Sequence, residues 1–212
     1  MKSAGFFVFM VCLVVLAPPS GAQVQLNEIL ADPASDWDSD GALGSKTDEW
    51  VEIVNNSSLA VDISCYRLTD LSGGTTWRYG FAGTLAPGSV FTVYGSDAVS
   101  WQSVNGFPAL GLSLNNAGDT VFLYDVSDAD TVVVDQYTYK SFETADDRSV
   151  GRRADLPSEW VIFDALNPYG GAIPPFGNGC APTPDGINSC GSGVPIHGTT
   201  WGAVKELFST PM

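Results

Sequence analysis

Histidine is almost missing from this chain. His197 is the only one, and it lies between Ile196 and Gly198 in a Gly- and Pro-rich stretch. Nucleophilic sites of the Ser-His-Asp or Cys-His kind need an imidazole held by a rigid scaffold, so that chemistry is not expected and His197 is read as an exposed tail residue. Basic residues are also scarce: 9 Lys and Arg stand against 24 Asp and Glu, a net charge of −15. A chain with so few counterion-releasing cations is not expected to bind nucleic acid. Charged residues of both signs make up only 16% and apolar residues 44%, a globular balance, so the acidity does not signal disorder. The glycine pairs, such as Gly170-Gly171, follow no strand-to-helix phosphate pattern. Before the C-terminal end no window carries a sustained helical apolar period.

What is present begins with an export signal. Lys2 gives a positive start, Phe6 to Leu16 forms an apolar run too short to span a bilayer comfortably, and Pro18-Pro19 precedes Ser20-Gly21-Ala22. Residues 1–22 are therefore read as a signal peptide cleaved before Gln23, the alternative being an uncleaved anchor. The mature chain then carries 8 Lys and Arg against 24 Asp and Glu, a net charge of −16. Of the four cysteines, Cys12 leaves with the signal. Cys180 and Cys190 are expected to close a small disulfide loop in an oxidising compartment, and Cys65, in an alternating stretch, is read as a buried inert thiol.

Short runs rich in Val, Ile, Thr, Tyr and Phe, cut by Gly, Pro, Asn and Asp, predict strands at Val24–Leu30, Glu49–Asn55, Ala60–Asp62, Tyr66–Thr69, Trp77–Phe81, Val90–Tyr94, Thr120–Tyr124, Thr131–Tyr139 and Glu159–Phe163. Turns are expected at Ser72-Gly73-Gly74, Pro87-Gly88 and Ala117-Gly118-Asp119, with Asp125 to Asp130 joining two strands as a hairpin. The expected fold is all-β, a sandwich or barrel, ending near residue 166. Residues 167–198 read as an irregular Gly/Pro-rich linker holding the Cys180–Cys190 loop. Residues 199–212, with Trp201, Val204, Leu207 and Phe208 on one face, read as a short terminal helix.

Six pieces in order resemble one known family. Leu26-Asn27-Glu28-Ile29 is similar to its opening strand. Asp48-Glu49-Trp50-Val51-Glu52-Ile53-Val54-Asn55 is similar to its D-E-[FW]-[VI]-E-[LI]-x-N strand. Val61-Asp62-Ile63-Ser64-Cys65-Tyr66-Arg67-Leu68-Thr69-Asp70 resembles a DLSGWxLxD stretch in which Cys65-Tyr66 replaces Gly-Trp. Leu85-Ala86-Pro87-Gly88, then Leu112 to Asp119 with Val121, Leu123 and Asp125, and finally Ser149-Val150-Gly151-Arg152 complete the set. The family is the lamin tail domain, in the form found in exported bacterial proteins. The resemblance implies an immunoglobulin-like β-sandwich over residues 23–166. It also implies a binding or structural module rather than a catalyst.

The sharpest chemical signal is Asp36-Trp37-Asp38-Ser39-Asp40-Gly41. Carboxylates at alternate positions with Gly at the sixth wind around a calcium ion, whose oxygen ligands converge at about 2.3–2.6 Å. A helical calcium loop would place Glu at its twelfth position, here Thr47, and the flanks read as strands, so the expectation is a calcium loop in a β setting. The resemblance adds that bacterial members often carry a similar acidic insert between these strands. The expected ligands are Asp36, Asp38, Asp40, Asp48 and Glu49, with Asp32 in reserve; the plainer alternative is a solvated acidic loop.

Glu28 and Glu52 share strand faces with apolar residues and need partners, for which Arg78, Arg148, Arg152 and Arg153 are available. They could also form the carboxylate pair of a glycoside hydrolase, which would require an open cleft between them. Trp37 and Trp101 are the aromatics expected at the surface, as sugar platforms or as pins for their loops. Asn55 and Asn56 each begin an N-x-S/T sequon. The expected function is a secreted, non-catalytic module whose partner is an extracellular protein, a glycan or an envelope component, with an extracellular polysaccharide hydrolase as the alternative. The terminal Thr199-Thr200-Trp201 segment is read either as a docking or sorting tag or as a helix covering a sheet edge.

Overall fold

The computed structural model describes residues 23–70, 76–127 and 131–190. The expected signal peptide, the Ser72-Gly73-Gly74 turn, the end of the Asp125–Asp130 connection, His197 and the 199–212 segment lie outside the described residues. In chain order the described elements are β1 (Val24–Leu30), β2 (Trp50–Asn55), β3 (Val61–Asp62), β4 (Tyr66–Thr69), β5 (Tyr79–Gly80), β6 (Thr84–Leu85) and β7 (Val90–Tyr94), then α1 (Gly95–Asn105), β8 (Gly118–Asp125), β9 (Val132–Lys140), β10 (Ser149–Arg152) and β11 (Trp160–Phe163). They build an antiparallel five-stranded sheet in the order β11-β10-β1-β2-β7, a four-stranded sheet β5-β4-β8-β9, and a β3–β6 ribbon.

The two larger sheets pack as an immunoglobulin-like sandwich. Val24, Leu26, Ile29, Val51, Ile53, Val93 and Val150 of the first meet Leu68, Val121, Leu123 and Tyr139 of the second in one buried cluster. Each such aliphatic side chain, removed fully from water, contributes about 1.5–3 kcal/mol before the entropy of ordering is set against it.

The alternation that buries Val24 and Leu26 does not run on through β1. Leu26 pairs with Ile53, but Glu28 pairs with Glu52, so a bulge at Asn27 inserts one extra residue. A one-residue slip turns every later side chain to the opposite face. Ile29 therefore faces the core, while Glu28 and Leu30 join Trp50 and Glu52 on the outer face. Leu30, Trp50, Glu28 and Glu52 are nonetheless all 0% exposed. The first sheet is buried on both faces.

Two irregular segments cover that outer face. The loop between β1 and β2 lays Trp37 edge-on against Trp50, ring centroids 6.1 Å apart. The other cover is the stretch read as a linker after residue 166. Up to Cys190 it is not a free tether. Ile162 N–H donates to Phe176 O and Asn178 N–H to Ile162 O, which extends the sheet beside β11. Asp164, 6% exposed, accepts from Tyr169 N–H and Gly179 N–H at 2.8 Å each. Cys180 and Cys190 are joined by a disulfide, Cα atoms 5.4 Å apart. This stretch docks through backbone and small polar groups, which leave no hydrophobic period, and so its sequence reads as a linker.

Helix α1 was not foreseen either; its region reads as a connection. Only Gly95, Ala98 and Gln102 of its residues are buried, too narrow a stripe to give a helical signal. Asp97 accepts from Tyr94 N–H at its start, and Gly106 ends it in the left-handed region, φ 75°. Gln102 is fully buried: its Nε2 donates to Arg78 O and Gly111 O, and its Oε1 accepts from Leu110 and Gly111 N–H. Trp101 is half-buried and stacks on Phe107, centroids 5.4 Å apart, so it pins the helix end. Cys65 is half-buried in the turn before β4, because that stretch bends at Ser64 instead of running on as a strand.

Asn55 closes the end of β2. It is 0% exposed, donates to Leu59 O and Leu85 O, and accepts from Ser57 N–H and Oγ. Replacing it by alanine takes a side-chain donor from the Leu59 and Leu85 carbonyls and an acceptor from Ser57, and buried polar groups that lose partners cost about 1–3 kcal/mol each. Asn55→Ala is therefore expected to lower unfolding stability by about 2–3 kcal/mol in a urea titration, while Asn56→Ala, at an exposed position, changes it by under about 0.5 kcal/mol.

Candidate functional site

The acidic loop is wound by its own aspartates. Asp38 Oδ1 accepts from Asp40 N–H, Asp36 Oδ2 from Gly41 N–H and Asp40 Oδ1 from Ala42 N–H. Ser39 and Gly41 hold positive φ, 60° and 93°, as so tight a turn requires. Asp36, Asp38 and Asp40 bring one carboxylate oxygen each to within 4.8 Å of one another. Two oxygens on a single calcium ion can be no further apart than about 5 Å, twice the usual ligand distance. The second oxygen of Asp38, Oδ2, is buried and has no hydrogen-bond partner.

The other expected ligands are placed elsewhere. Asp48, 0% exposed, lies beneath the loop, where Oδ1 accepts from Trp37 N–H at 2.6 Å and Asp38 N–H at 3.1 Å, and Oδ2 from Gly44 N–H at 2.7 Å. Strand alternation sends Glu49 the other way, into the sandwich, where Oε2 accepts from Leu114 N–H at 3.1 Å. Burial there pushes its carboxyl up to about 8. Asp32 bonds Asn116 Nδ2, and its carboxyl is raised above the ordinary range by burial first, then by the charges of Asp146 and Asp147. Sequence spacing groups five carboxylates; the fold gathers three of them and uses Asp48 as an anchor.

A second anchor has no sequence signal. Asp147 accepts from Ala34 N–H, Ser35 N–H, Ser35 Oγ and Trp37 Nε1, and so clamps the entry of the loop to the segment before β10. Trp37 is half-buried between Asp147 and Trp50, a pin and not an open platform. At the other end of the loop, Gly95 N–H donates to Glu49 O and Ser96 N–H to Thr47 O, and a Cβ on Gly95 would lie 1.8 Å from Lys46 O.

Glu28 and Glu52 lie side by side on the outer face without an arginine. Arg78 pairs with Asp70, Arg152 with Asp135, and Arg153 with Asp155 and Glu159, while Arg148 donates to main-chain oxygens of Phe142, Asn167 and Pro168. Neutral donors serve the two carboxylates instead. Glu28 accepts from Ser149 Oγ, Thr183 N–H and Thr183 Oγ1. Glu52 accepts from Asn27 Nδ2, Thr92 Oγ1 and Asp185 N–H. Burial pushes both up to about 7, against the lowering effect of these hydrogen bonds; for Glu52 the charge of Glu28 adds to the rise. Thr183 and Asp185 sit where a hydrolase cleft would open, and the pair faces no solvent.

Because Asp48 satisfies three backbone N–H groups, Asp48→Ala is expected to destabilise the protein by about 3 kcal/mol. Asp40→Ala, at an exposed position, should change stability by no more than about 0.5 kcal/mol without added cation. Equal effects in chemical denaturation would contradict the anchor role.

A family model described as Lamin Tail Domain matches residues 17–141, over half of the chain. No curated protein and no solved structure gives a significant match. The matched span holds β1 through β9, whereas β10 and β11 fall beyond it. Because that match covers more than half of the chain, the chain belongs to the lamin tail domain family.

Proposed function

We propose that this protein is an exported, non-catalytic lamin tail domain that acts as an extracellular binding or structural module, with calcium fixing the loop that begins at Asp36. The observations that carry the calcium reading are Asp38 Oδ2, a buried acceptor without a donor, and one carboxylate oxygen each of Asp36, Asp38 and Asp40 within 4.8 Å of one another. A buried oxygen anion without a partner is costly, and a divalent cation is the partner that also relieves the mutual repulsion of three aspartates. Asp36, Asp38 and Asp40 would hold the ion, with main-chain carbonyls and water supplying the remaining oxygens that calcium takes. The ion would stiffen a loop already fixed at both ends by Asp48 and Asp147.

The net charge of −15 argues against a nucleic acid as partner, and the export reading leaves an extracellular protein, glycan or envelope component. The alternative, a polysaccharide hydrolase working through Glu28 and Glu52, needs the pair to flank an open cleft, and both are 0% exposed beneath residues 183–188.

Calcium at a hundredfold excess over its dissociation constant adds about 2.7 kcal/mol, which for a domain of this size raises Tm by roughly 5–10 °C. Differential scanning fluorimetry should show that rise on adding calcium and its reversal by EDTA. Asp38→Ala should abolish the shift while leaving the cation-free Tm nearly unchanged. A Tm indifferent to both calcium and EDTA would leave the segment a solvated acidic loop.

A further inference from the structure

The extension that covers the first sheet meets it at one place through titratable groups. Thr183, Asp185 and Asn188 descend on the outer face just where Glu28 and Glu52 pair across β1 and β2. Asn188 Nδ2 donates to Asn27 O and Arg152 O, and its Oδ1 accepts from Asn27 Nδ2. Gly151 makes room for it: a Cβ there would lie 2.7 Å from Asn188 Nδ2 and 2.9 Å from Glu28 Cγ. The Cys180–Cys190 disulfide gathers this segment into one loop. We infer that the segment Thr183–Asn188 is a proton-dependent latch, closed over Glu28 and Glu52 when they carry protons and lifted when both are ionised.

The argument rests on how the pair is enclosed. Among the described residues no cation touches either carboxylate, so two negative charges on neighbouring strands would face each other out of contact with water. The remaining charged or titratable groups around them do not relieve this. Asp185 on the extension accepts from Tyr94 Oη at the end of β7, Asp97 of α1 adds a further negative charge near that tyrosine, and the Arg152 guanidinium of β10 turns to Asp135 and the Trp160 ring. A protonated pair is accommodated without rearrangement. Glu28 Oε2 meets only the Thr183 hydroxyl, and Glu52 Oε2 meets the Thr92 hydroxyl, each of which can turn from donor to acceptor. Ionised, the pair gains full hydration only if the segment leaves.

The sign follows from linkage. In the closed state burial holds both carboxyls at about 7, against 4.5 for a hydrated glutamate. A carboxyl raised by closure favours the closed state fully below its hydrated value and loses that contribution as pH rises through its closed-state value. The latch is therefore firm near pH 5 and loose above pH 8.

Hydrogen exchange of the purified protein at pH 5.5 and 8.5, corrected for intrinsic rates, tests this. Protection of the peptide carrying residues 183–188 should fall about tenfold or more between the two, with β8 unchanged. Glu28→Gln combined with Glu52→Gln should hold protection equal at both values, whereas Asp185→Asn should keep the wild-type response. Equal protection in the wild type, an unaltered fall in the double variant, or loss of the response in Asp185→Asn each overturns the latch. Should the double variant lose its far-UV circular dichroism, Glu28→Gln alone decides, since its Nε2 can donate to Thr183 Oγ1: a diminished fall supports the latch and a wild-type fall overturns it.

Discussion

A single extra residue in β1 governs much of this molecule. The bulge at Asn27 lets the strand start with Val24 and Leu26 in the sandwich core and finish with Glu28 and Leu30 on the opposite side. Without it, one face of the first sheet would be apolar and the other polar, the usual economy of an antiparallel sheet. With it, the outer face carries Leu30, Trp50 and two glutamates and cannot be left to water. The β1–β2 loop and the C-terminal extension are the covers that this face demands. The position of the acidic loop, the docking of residues 167–190 and the enclosure of the glutamates all follow from that slip.

The acidity of the chain takes a particular form. Its buried carboxylates are held mainly by backbone N–H groups and hydroxyls: Asp48, Asp147 and Asp164 organise loops, and Glu28, Glu49 and Glu52 close gaps between elements. With so few cations available, the chain satisfies its acids by folding irregular backbone around them. Asp70 with Arg78 and Asp135 with Arg152 are the most buried of its ion pairs among the described residues. Among the described residues the Asp36–Asp40 turn brings three carboxylates together, and it is there that a cation is proposed.

Most strands were legible because their β-branched and aromatic runs end at Gly, Pro and Asn; Val24–Leu30, Tyr66–Thr69 and Val90–Tyr94 agree with the structure to the residue. Helix α1 was not, since its buried positions, Gly95, Ala98 and Gln102, are small or polar and leave no apolar period to read. Of the candidate site, the alternation Asp36, Asp38, Asp40 was visible because the ligand spacing of a tight loop is local. Asp48 and Glu49 lie apart from that turn, because adjacency in sequence says nothing of which strand face each takes. Asp147 and Thr183 were out of reach, being defined by contacts across 110 and 155 positions of chain. Arginines were expected beside Glu28 and Glu52, but the bulge turns Glu28, and alternation along β2 turns Glu52, toward the extension.

The place of β10 carries a last consequence, for how the chain assembles. It lies between β11 and β1, and Ser149 reaches Glu28 across 121 positions, while Thr183 arrives from 155 away. The first strand made is thus flanked by one of the last. Such pairings bear a large loop-closure entropy before any contact repays it, so chains built on them fold slowly and hold unpaired strand edges meanwhile. Residues 17–141, though they mark the family, leave β1 with a bare edge and Glu28 and Glu52 without the segment that covers them. The unit that folds is longer than the unit that is recognised.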